Sequence, residues 1–71
     1  MGVTGRVSLE FVVTTSGRVE PGSIHVLEAS HAAFGASATL AIEGSLFRPA
    51  RVRGVPVKQL VRQVIRFEAG R

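Results

Sequence analysis

Seventy-one residues, 45% hydrophobic and 20% charged, make one domain at most, because so short a chain buries only about 60% of its unfolded surface and cannot divide that between two cores. The apolar content excludes a disordered tail, and the absence of Cys excludes disulfides and thiolate metal sites while fitting either a cytosolic or an exported protein. The net charge of +4 is uneven, with six of the nine Lys and Arg lying between Arg48 and Arg66, a distribution compatible with nucleic acid, anionic lipid or an acidic partner and equally with simple solubility.

In chain order, Val7 to Val13 alternates, with Val7, Leu9, Phe11 and Val13 on one face and Ser8, Glu10 and Val12 on the other, the pattern of a strand with one buried face. Thr14-Thr15-Ser16-Gly17 then reads as a hairpin-type reversal, because Gly17 can take positive φ without a Cβ penalty. A second strand is expected to start at Arg18 to Glu20, to be interrupted by Pro21-Gly22, and to resume over Ser23 to Leu27 with Ile24 and Val26 on one face. The proline places it at a sheet edge.

Ala32 to Leu46 changes to helical spacing through Phe34, Ala38, Ala41, Ile42 and Ser45, with Ser30 as a cap near its start. Gly35 and Gly44 weaken this helix by up to about 1 kcal/mol each, and Pro49 ends it by about Phe47. Arg53-Gly54-Val55-Pro56 reads as a turn. The remainder fits two periods: Val57, Leu60, Val61, Val64 and Ile65 sit at helical spacing, while Val57, Val61, Ile65 and Phe67 share one face of a strand with Gln59 and Gln63 between them. The Val, Ile and Phe content favours the strand, with Lys58, Arg62 and Arg66 on its opposite face.

The expected fold is therefore α+β, an antiparallel sheet of about three strands with one helix packed on one face in the order ββαβ. Its predicted core is Val7, Leu9, Phe11, Val13, Ile24, Val26, Phe34, Ala38, Ile42, Phe47, Val61 and Ile65.

Chemistry finds little purchase in these residues. His25 and His31 stand without a Cys or an acid at metal-ligand spacing, and Glu10, Glu20, Glu28, Glu43 and Glu68 are scattered singly rather than paired as an acid and a base. Ser16-Gly17-Arg18 lacks the glycine spacing and following helix of a phosphate-binding turn. The reading is a non-enzymatic binding domain with no cofactor and no metal.

Several segments fall into a recognisable order: Gly5-Arg6-Val7 opening a strand, Phe11-Val12-Val13 before Ser16-Gly17-Arg18-Val19, Phe47-Arg48-Pro49-Ala50 after a helix, then Gly54-Val55-Pro56-Val57 and a final strand. This ordered set, from about Gly5 to Phe67, resembles the TonB C-terminal domain family, so residues 1–71 are expected to form one such domain with its core at about 5–67. Two features depart from the family: the aromatic-proline segment upstream of the first strand is missing, and Gly35, Ala36, Ser37, Thr39, Gly44 and Ser45 occupy helix positions where relatives carry charge.

The resemblance implies a periplasmic domain, anchored in the inner membrane through a region outside these residues, where the proton-channel partners would also act. It implies capture of the N-terminal peptide of an outer-membrane transporter by β-strand addition to the closing strand, at Val57, Lys58, Gln59, Leu60, Val61, Arg62, Gln63, Val64, Ile65 and Arg66. The basic side chains would favour an acidic peptide, or else guard the edge against aggregation. The small core and Leu60 and Val64 on the second face of the closing strand also predict a homodimer; the alternatives are a homodimerisation module of the same fold and a basic nucleic-acid-binding domain. The chain lacks the aromatic platform that single-strand binders use, which disfavours the last.

Overall fold

The computed structural model describes residues 3–69, and its elements are β1 (Val3–Val13), β2 (His25–Ala29), α1 (Ala32–Glu43), β3 (Ala50–Val52), β4 (Val55–Val57) and β5 (Gln59–Ala69). β2, β1 and β5 form an antiparallel sheet in the order β2-β1-β5, with β1 in the centre, and β3 and β4 form a separate two-stranded sheet. The α+β arrangement with one helix and a three-stranded antiparallel sheet is as the sequence predicts. The second, two-stranded sheet is an addition to it.

β1 is central because it pairs along both of its edges, and its two faces differ sharply. Val7, Leu9, Phe11 and Val13 are all but fully buried beneath Ala38 and Ile42 of α1, whereas Ser8, Glu10 and Val12 face the uncovered side of the sheet. Ile24, Phe34, Phe47, Val61 and Ile65 pack around this cluster half-buried, joined by Val19, Ala29 and Phe67. Phe11 meets Phe47 at 5.4 Å between ring centroids, and Phe34 stacks on Phe67 at 4.8 Å with the planes 5° apart. Gly5 lies directly across from Phe67, and a Cβ there would strike the Phe34 ring. The glycine is the gap into which the stacked pair fits.

Val26 corrects the predicted core, being 42% exposed. It points to the helix side of edge strand β2, but the helix residue above it is Gly35, whose position offers only backbone as a lid. The second strand also starts later than predicted. Val19 makes an isolated bridge to Val13, and the Glu20 N–H donates to the Val12 carbonyl at 2.8 Å. Pro21-Gly22 then turns the chain away, and Ser23 fills the interruption: its Oγ accepts the Val12 N–H at 3.1 Å and donates to the Glu20 carbonyl at 2.7 Å. Regular pairing resumes at His25, with a bulge between Ser8 and Leu9 on the facing strand that leaves Leu27 without a counterpart.

The helix stops at Glu43, not near Leu46, and Gly44 is its C-cap, donating to the Leu40 carbonyl. Tertiary pairing decides this: Leu46 bridges Arg18, and the Phe47 N–H donates to the Gly17 carbonyl at 2.8 Å, so the chain must already be extended there. Ser30 is not the N-cap. His31 occupies that position without a side-chain bond, while Ser30 clamps β1, accepting the Arg6 N–H on Oγ and donating its own N–H to the Arg6 carbonyl, both at 3.0 Å. Arg53-Gly54 is a turn as predicted, with φ of 52° and 82°, but it joins two paired strands, β3 and β4.

Candidate functional site

β5 lies at the margin of the sheet. Its eleven residues pair continuously with β1, from Val13 opposite Gln59 to Val3 opposite Ala69, and among the described residues no strand pairs with its other side. A β-strand turns alternate backbone N–H and C=O groups to opposite sides, so β5 presents a row of unpaired donors and acceptors to solvent. The edge is long and uninterrupted, because β5 contains neither Gly nor Pro.

Pairing with β1 assigns the two faces. Gln59, Val61, Gln63 and Ile65 stand opposite Val13, Phe11, Leu9 and Val7 and share the helix side, while Leu60, Arg62, Val64 and Arg66 stand opposite Val12, Glu10, Ser8 and Arg6 on the uncovered side. Val61 and Ile65 are half-buried. Leu60 and Val64 are 62% and 55% exposed, which makes the strand apolar on both faces, as the sequence predicts. Gln59 and Gln63 are exposed despite their inward phase.

Two of the ten predicted edge residues lie outside the strand. Val57 ends β4, half-buried and paired with Ala50, and Lys58 links β4 to β5. The Lys58 Nζ donates to Glu20 Oε1 at 2.6 Å, and the Arg62 Nε donates to Glu10 Oε1 at 2.8 Å. Arg66 faces Arg6 across the sheet. The basic row beside the edge is thus partly neutralised on its own sheet, by exposed pairs of the kind worth about 0–1 kcal/mol. The structure supplies eight consecutive residues of the candidate edge, Gln59 to Arg66, on one strand.

The β3–β4 hairpin escaped the sequence reading, although its signal is present: Arg53-Gly54 lies between two β-branched residues, Val52 and Val55, the form of a two-residue hairpin turn. Among the described residues, no cluster of three His, Asp or Glu is placed to hold a metal, and no helix is long and apolar enough to cross a membrane.

Comparison with known proteins accords with this geometry. Neither the curated proteins nor the solved structures give a significant match, but the sequence model of the family described as Gram-negative bacterial TonB protein C-terminal matches residues 1–69, essentially the whole chain. The protein belongs to the TonB C-terminal domain family.

Proposed function

We propose that this chain is a non-enzymatic periplasmic domain that captures the N-terminal peptide of an outer-membrane transporter by adding it as a strand to β5. In this reading it passes on energy from the inner membrane, to which it is anchored through a region outside these residues. Family membership supports the class of protein, and the observation that carries the mode of binding is the continuous open edge of β5. Strand addition draws affinity from backbone hydrogen bonds and specificity from alternate side chains. On β5 those side chains are Val61 and Ile65 on one face and Leu60, Val64 and the two arginines on the other.

Arg66 is the most available cation for an acidic peptide, since Lys58 and Arg62 already hold Glu20 and Glu10. Titration with an acidic transporter-derived peptide, followed through backbone amide shifts, is expected to perturb residues 59–66 first. Val64→Pro, opposite Ser8, removes one of the backbone donors that β5 turns away from β1 and is expected to weaken capture. Shifts confined to β2 or α1 would reject this edge.

A second reading is self-pairing through the same strand. It rests on the exposed Leu60 and Val64, which lie on the sheet face that no helix covers among the described residues. Two copies joining β5 to β5 would occupy the edge that the peptide needs.

A further inference from the structure

We propose that the β3–β4 hairpin is a docking element for the surface of an anionic lipid bilayer, separate from the β5 edge. The hairpin packs chiefly on itself. An apolar stripe runs outward along one of its faces: Ala50 and Val57 are paired and half-buried at the base, and Val52 and Val55 are paired at the tip, 58% and 61% exposed. Arg48 precedes this stripe and Arg53 stands at its tip, while Arg51, paired with Pro56, lies on the hairpin's other face; no acid occurs anywhere between Glu43 and Glu68. The charged side chains of this half that do find carboxylates are Lys58 and Arg62; among the described residues Arg48, Arg51 and Arg53 form no ion pair.

The turn itself departs from local preference. Arg53 has φ 52°, the one non-glycine residue with positive φ among the described residues, where Asn, Asp or Gly is favoured. A residue that stands against the backbone's preference points to a use for its side chain. Arg51 is held along the hairpin by donating from Nη1 to the Gly54 carbonyl at 3.0 Å, which fixes its stem beside the turn.

A convex tip with two opposed valines and surrounding guanidinium groups suits a soft, anionic interface. The valines can enter below the headgroups while the arginines stay at the phosphates. A folded acidic protein would have to supply a matching cavity for the tip. Nucleic acid would leave the valines without a partner, and the hairpin offers no aromatic ring for a base.

The test is sedimentation of the protein with vesicles of phosphatidylcholine alone and of equal parts phosphatidylcholine and phosphatidylglycerol. Binding is expected to the anionic vesicles only and to fall with added salt. R48Q/R53N is expected to bind them roughly thirtyfold more weakly, which corresponds to about 1 kcal/mol at each of two basic side chains. Asn also suits the turn, so this variant should fold, with an unchanged thermal melt as the control. V52T/V55T keeps every charge and is expected to lose affinity as well. Absence of binding, equal binding to neutral vesicles, or an unaltered R48Q/R53N would overturn the proposal. So would loss in R48Q/R53N with V52T/V55T unaffected, the response of a site for an acidic polymer rather than a bilayer.

Discussion

Phe11 stands where the central strand, the helix side of the core and the segment after the helix converge. Its side chain is wholly buried and its ring meets Phe47. Phe→Ala in such a site costs about 3–5 kcal/mol, and a core of this size rarely supplies more than about that amount in total. Phe11→Ala is therefore expected to abolish the cooperative transition in thermal or urea unfolding, and a melt within a few degrees of the parent would show that the ring is dispensable. Gly17 is constrained differently. Its φ is 84°, and an added Cβ would fall on the Phe47 carbonyl oxygen, whereas Gly22, at φ 79°, faces open space. Gly22→Ala should cost about 1 kcal/mol through backbone strain alone. Gly17→Ala should cost clearly more, because it also displaces the Gly17–Phe47 hydrogen bond, and equal losses in denaturant melts would contradict that account.

At the scale of elements, α1 carries a reserve of stability. A Cβ at Gly35 would lie 3.6 Å from the Ala29 Cβ and 3.7 Å from Val26, ordinary contact distances. Gly35→Ala should gain about 0.5–1 kcal/mol from helix propensity and cover part of Val26, so a lower melting temperature would mean that helix and sheet cannot accept even a methyl group. The same residue explains a limit of sequence reading. Val26 has the phase of a core residue, but alternation does not reveal that the element above it carries a glycine there. The Val7–Val13 part of β1 was legible because its own residues encode the contrast between a covered and an uncovered face, whereas the strand's start at Val3 was not. The helix end was not, because Gly44 and Pro49 are both plausible stops and the choice falls to the pairing of Leu46 with Arg18.

For the molecule as a whole, the open edge of β5 and the bare sheet face bearing Leu60 and Val64 lead to an expected departure from monomeric behaviour. Arg62 and Arg66 from two chains would approach each other across a β5–β5 junction, so screening by salt should strengthen it. Light scattering across protein concentration and ionic strength is expected to show mass rising with both, and a constant mass near 7.5 kDa would leave β5 to the peptide alone. Most of this candidate edge could be read from the mixed apolar and basic residues after Pro56. Its start could not, because Val57 continues the same alternation although the chain breaks at Lys58 between two sheets.

The pairing of β1 with β5 joins the segments most distant in sequence, Val3 with Ala69 at one end and Val13 with Gln59 at the other. A helix or hairpin can form as soon as its own residues exist, but this ladder closes only after the intervening chain has been made and brought round. Until the last strand arrives, β1 keeps one side of its backbone unpaired, and Val7, Leu9, Phe11 and Val13 lack the flank that Val61 and Ile65 provide. A chain cut after Lys58 would keep the residues that fill most of the core and lose the strand that flanks it. Such a fragment should behave as an aggregation-prone intermediate rather than as a smaller domain.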